Sequence, residues 1–106
     1  MREMSAEELR DYLKSAHTSP ILLDVREPWE YDICSLEHSR LIPMRQLPAA
    51  ALDLDPQKEY VMICHHGIRS RQAALYLERT GFDSLINLNG GMDAWARTVD
   101  LDMDTY

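Results

Sequence analysis

One stretch of this chain sets a nucleophile beside groups able to activate it: Val61-Met62-Ile63-Cys64-His65-His66-Gly67-Ile68-Arg69-Ser70. The apolar run ahead of Cys64 reads as a strand that carries the sulfur to the rim of a sheet. Gly67 allows a tight turn, and a helix opening with Arg69, Ser70 and Arg71 aims its free N–H groups and positive dipole end back at the sulfur. A cysteine so placed is expected to be exposed, acidic and nucleophilic. The same amides, from His65 to Arg69, would hold an anionic group on that sulfur or approaching it. The expected chemistry is attack by a thiolate on a small anion.

Charge supports a local rather than a global attraction. The chain carries a net charge of −7, with 18 acidic residues against 11 basic ones. Nucleic acid and anionic membrane surfaces are therefore excluded as expected partners. Between Cys64 and Arg71 there are two arginines, two histidines and no carboxylate, so a small anion is favoured only there. The alternative for Arg69 and Arg71 is a solvated helix face. Cys34 has neither arginines nor a glycine turn beside it and reads as a small packed residue. Two isolated cysteines make neither a disulfide framework nor a four-ligand zinc site. Adjacent imidazoles on a tight loop are expected to point apart, so no metal is expected at His65 and His66.

The positioning elements follow from patterning. At 106 residues the chain is one domain, with 45% hydrophobic residues and enough length for a single core. Ser5-Ala6-Glu7-Glu8 is a capping box, followed by Leu9, Tyr12, Leu13 and Ala16 at helical spacing and a break at Thr18-Ser19-Pro20. Ile21 to Val25 is a buried strand. Asp24 and Arg26 stand at its end, before a short helix from Pro28 that should turn Trp29 and Ile33 inward. Arg40 to Pro43 gives a brief strand, and Leu47 to Leu52 a short helix. Tyr60 to Ile63 is the central strand, Arg69 to Thr80 a helix with Gly81 just past its end, and Ser84 to Leu88 the next strand. Asn89-Gly90-Gly91 is a turn leading to a last helical piece, Met92 to Arg97. The acidic tail, residues 98–106, packs an edge or hangs free. This alternation predicts an open α/β domain whose sheet is mostly parallel, with about five strands flanked by helices. The reactive edge lies at the carboxyl ends of the strands, where Cys64 and the Asp24–Arg26 turn both fall. No apolar run reaches the roughly 20 residues of a membrane span, and a cytoplasmic location is expected.

Three segments together resemble the single-domain rhodanese family over nearly the whole chain. Leu23-Asp24-Val25-Arg26-Glu27 with Trp29-Glu30-Tyr31 resembles its first signature, Cys64-His65-His66-Gly67-Ile68-Arg69-Ser70 its active loop, and Asn89-Gly90-Gly91-Met92-Asp93-Ala94-Trp95 its closing motif. The resemblance implies a sulfurtransferase. Cys64 would take a sulfane sulfur from thiosulfate or a persulfide donor, become a persulfide, and pass the sulfur to cyanide, a thiol or a sulfur-carrier protein. It implies no cofactor and no metal. The amides of His65, His66, Gly67, Ile68 and Arg69 would cradle the anion, Arg69 would steer it, and Ser70 would cap the helix or donate a hydroxyl. Asp24 and Arg26 would brace the loop. The partners implied are a small anionic sulfur donor, a protein persulfide donor or a sulfur-carrier acceptor, with a monomer as the default state.

The rival readings are a rhodanese-fold binding or regulatory module and, behind it, a cysteine-dependent phosphatase. Those phosphatases separate cysteine and arginine by five residues, whereas four lie between Cys64 and Arg69. The chain departs from the family at Cys34 to Ser39, where His38 replaces a turn glycine. A left-handed conformation is expected there at some cost.

Overall fold

The computed structural model describes residues 1–106. Five strands form one parallel sheet: β1 (Arg2–Met4), β2 (Ile21–Asp24), β3 (Arg40–Leu41), β4 (Glu59–Ile63) and β5 (Ser84–Leu88), in the order β1-β5-β4-β2-β3. The helices are α1 (Ala6–Ser15), α2 (Pro28–Ile33), α3 (Leu47–Ala50), α4 (Ile68–Arg79) and α5 (Gly91–Thr98). Single 3₁₀ turns, Met44–Gln46 and Ala51–Asp53, flank α3. Parallel strands need crossovers, and the helices that supply them cover both faces, so the inner strands are apolar on both sides.

Alternation along β4 assigns its side chains to two cores. Tyr60, Met62 and Cys64 join Leu23, Leu47, Ala73, Ala74 and Leu77 on the face covered by α3 and α4. Val61 and Ile63 join Leu9, Leu22, Ile86 and Met92 on the face of α1 and α5. Cys64 therefore lies beneath the start of α4, one residue past the end of the central strand. The period of two along a strand decides this side.

Most elements agree with the sequence reading to within a residue or two. The capping box is formed in both directions between Ser5 and Glu8. Ala73, Ala74 and Leu77 are buried, and Gly81 has a φ of 105° just past α4. His38 is the one non-glycine residue with positive φ, at 67°. Three differences matter. Strand β1 pairs with β5 where the sequence shows no strand pattern, because three edge residues are too few to show an alternation. Trp29 does not turn inward; it is 60% exposed, and Glu30 takes the buried position of α2. The segment after α5 neither hangs free nor covers a sheet edge. Its residue Tyr106 stacks on His65.

Candidate active site

The sulfur of Cys64 accepts hydrogen bonds from the backbone N–H of Gly67 at 3.1 Å and of Ser70 at 3.3 Å. Gly67 is the N-cap of α4 with φ 95°, a left-handed conformation that lets the chain reverse and bring its own amide onto the sulfur. The amide donors are thus Gly67 and Ser70, of which only Gly67 falls in the span His65 to Arg69 that the sequence suggested. Cys64 is also 1% exposed rather than open to solvent. Ser70 does not cap the helix. Its hydroxyl lies 3.2 Å from the sulfur and donates to Asn87 Oδ1 at 2.6 Å. Asn87 in turn donates to the carbonyl of Gly67 at 3.1 Å and to Glu3. One buried amide on β5 therefore holds both ends of the turn that wraps the sulfur.

The floor of the loop is set by α5. Its first amides, Met92 and Asp93, donate to the carbonyls of Cys64 and His65 at 2.9 and 3.0 Å. Free N–H groups at a helix start thus satisfy the carbonyls that the end of β4 leaves unpaired. Gly91 makes this approach possible. Its φ is 58°, and a Cβ there would come within 2.5 Å of the His65 carbonyl oxygen and nearer still to that of Cys64.

Arg69 makes a forked ion pair with Glu30, at 2.7 and 2.8 Å, while lying near enough to Cys64 to interact with its charge. The hydrogen bonds from Arg69 hold the Glu30 carboxyl down at about 2, against the opposing effect of burial. Arg71 is also paired, with Glu3 at 3.3 Å. Neither arginine of the loop is left as a free cation. Asp24 and Arg26 are both wholly buried and bound to each other through a fork. Burial works against the charge of Arg26, but its bonds with Asp24 and Tyr106 prevail and raise its pKa. Its remaining donors reach the carbonyls of Glu30 and Cys34 and the hydroxyl of Tyr106. Arg26 therefore holds α2 and the segment after it, and meets the active loop only through Glu30 and Tyr106.

The two loop histidines do not diverge. Their rings lie 3.9 Å apart, and with Asp93 they bring three ligand atoms within 4.8 Å of one another. This is the group best able to hold a metal ion, although Asp93 is already paired with Arg97 and His65 is stacked under Tyr106. Burial, aided by His66, keeps the pKa of His65 below the ordinary imidazole value. The largest cavity, about 710 Å³, opens at the opposite edge of the sheet between Tyr12, His17, Ile21 and Glu59, and contains no cysteine. That cavity lies apart from the Cys64 sulfur and the amides that hold it.

The rhodanese-like domain model matches residues 5–98. The chain belongs to the rhodanese family. A sulfurtransferase of Allochromatium vinosum is 34% identical over 98 residues, covering 92% of this chain and 90% of that protein. The putative sulfurtransferase YtwF of Bacillus subtilis is 36% identical, covering 90% of each. A rhodanese-like/PpiC domain-containing chloroplast protein of Arabidopsis thaliana is 40% identical over 89 residues, of which the chain spans 30%; of MoeZ, a probable adenylyltransferase/sulfurtransferase of Mycobacterium tuberculosis, it spans 26%. Among solved structures, a rhodanese-like domain protein from Staphylococcus aureus superposes with a TM-score of 0.84 at 27% identity, covering 100% of this chain and 99% of that one. The chain is accordingly a rhodanese-domain, sulfurtransferase-like protein.

Glu30, Asn87, Gly91 and Tyr106 were not singled out as site residues in the sequence. Asn87 lies inside an apolar strand run, a position where a buried amide needs partners, and Gly91 shows only as part of the Asn89-Gly90-Gly91 turn. Glu30 resembles any exposed helix acid, and Tyr106 lies far from the loop along the chain.

Proposed function

We propose that this rhodanese moves a sulfane sulfur from thiosulfate or a persulfide donor, through a Cys64 persulfide, to a thiophilic acceptor such as cyanide, a thiol or a sulfur-carrier protein. The observation that carries the reading is the sulfur of Cys64 held by the Gly67 and Ser70 amides. Donors aimed at that point favour a thiolate before the reaction and an anionic persulfide after it. The Cys64 thiolate attacks the outer sulfur of thiosulfate, the sulfur–sulfur bond of the donor breaks, and sulfite leaves with its electron pair. The persulfide then gives its terminal sulfur to cyanide as thiocyanate, and the thiolate is restored. The commitment of Arg69 to Glu30 disfavours the phosphatase alternative, since a phosphoryl group needs a free guanidinium beside the nucleophile.

The experiment is intact mass of the purified protein before and after thiosulfate, with Cys64→Ser alongside. The expected result is a gain of one sulfur atom that cyanide removes and the variant never acquires. A wild-type protein that gains no sulfur from thiosulfate or from a protein persulfide would overturn the reading in favour of a binding module.

A further inference from the structure

Tyr106 touches Arg26, Glu30, Trp29 and His65 at once. Its hydroxyl donates to Glu30 Oε2 at 2.8 Å and accepts from Arg26 at 3.0 Å. Its ring stacks on His65, with centroids 3.9 Å apart and planes 14° from parallel, and meets the ring of Trp29 edge-on at 5.6 Å. Arg69 binds both Glu30 oxygens, Oε1 at 2.7 Å and Oε2 at 2.8 Å, and Oε2 is the one it shares with the Tyr106 hydroxyl. Two donors, one charged and one neutral, therefore share a single carboxylate oxygen.

We propose that Tyr106 is a positioning residue of the active site, whose hydroxyl draws Glu30 partly away from Arg69 and so sets how much positive charge faces an anion arriving at Cys64. The inference rests on the loop being a site for anions, as the sulfurtransferase reading requires. The hydroxyl lies in a relay that runs from Arg26 through Tyr106 to Glu30, and from there to Arg69. Burial, with Arg26 opposing and Glu30 assisting, pushes the phenol up to about 12, so it remains a protonated donor at neutral pH. Without that donor, Glu30 keeps its full negative charge for Arg69, and the neutralised pair attracts anions less. The stacking on His65 is made by the ring and not by the hydroxyl, so the hydroxyl and the ring have separable effects.

The test compares alkylation of Cys64 by iodoacetate, an anion, and by iodoacetamide, which is neutral, followed by peptide mass in wild type, Tyr106→Phe and Tyr106→Ala. Both reagents react with the same thiolate, so its population cancels in the ratio of the two rates. That ratio is expected to fall about threefold in Tyr106→Phe, the low end of what one hydrogen bond contributes, with iodoacetamide reactivity nearly retained. Tyr106→Ala is expected to lower the ratio equally and also to change both rates, as His65 loses its stacking partner. An unchanged ratio in Tyr106→Phe would overturn the proposal and leave Tyr106 a packing residue. Loss of sulfur transfer in the wild type, with the ratio still falling in Tyr106→Phe, would instead count against the thiosulfate chemistry alone.

Discussion

At the residue scale, Glu30 determines what Arg69 can do. Its carboxyl is lowered from 4.5 to about 2, chiefly by Arg69, with a backbone bond at Glu27 and the Tyr106 hydroxyl adding to the effect. A depressed acid contributes stability above its unfolded pKa and loses it as pH falls through the folded one. For Glu30 that contribution is about 2–3 kcal/mol, allowing for solvent at the partly exposed Arg69. Glu30→Gln should therefore be less stable than wild type by that amount in urea melts at pH 7, with the gap closing between about pH 4.5 and pH 2. A gap independent of pH would mean that the ion pair contributes nothing. Ser70→Ala should cost about 1–3 kcal/mol, because it leaves Asn87 Oδ1 buried without its donor. Ser70→Thr is the control, since it keeps the hydroxyl.

At the scale of elements, the loop is held between the starts of two helices. The first amides of α4 bind the sulfur, and those of α5 bind the carbonyls of Cys64 and His65. Gly91 and Gly81 separate sterics from backbone strain, because both have positive φ but only Gly91 has atoms in the way of a Cβ. Gly81→Ala should lower stability by about 1–2 kcal/mol, the cost of a left-handed alanine, and leave sulfur transfer intact. Gly91→Ala should cost more than this and abolish transfer, because the Cys64 and His65 carbonyls must move. Thermal melts and a cyanide-dependent thiocyanate assay distinguish the two outcomes. Equal behaviour of both variants would show that the approach of α5 to the loop does not matter.

At the scale of the whole molecule, the net charge of −7 is not offset by free cations at the loop, since Arg69 and Arg71 are paired with Glu30 and Glu3. In the proposed reaction a dianion such as thiosulfate would therefore approach against the net charge of the protein. In the proposed reaction, kcat/KM for thiosulfate should rise about two- to threefold as ionic strength goes from about 0.02 to 0.2 M, because salt screens repulsion between a like-charged pair. A fall with salt would mean that Arg69 detaches from Glu30 to receive the donor. No helix is long and apolar enough to cross a membrane, and the largest cavity lies at the sheet edge away from the sulfur.

Local signals in the sequence determined most elements and the candidate nucleophile. Short apolar runs placed β2, β4 and β5, helical spacing placed α1 and α4, and a cysteine between strand and helix with Gly67 in the turn marked the candidate site, because these properties depend on residues a few positions apart. The left-handed turn at His38 followed instead from the resemblance, since His38 stands where the family has a turn glycine. The partners of the charges were not legible. Glu30 is 39 residues from Arg69, and Tyr106 is 76 residues from Glu30, and nothing in either neighbourhood indicates the other. Whether Arg69 faces the substrate or a carboxylate, and whether the last residues hang free or lie on His65, depends on which elements the sheet order brings to one edge. Tertiary structure decided that, because long-range pairing of buried charges is set by topology rather than by composition.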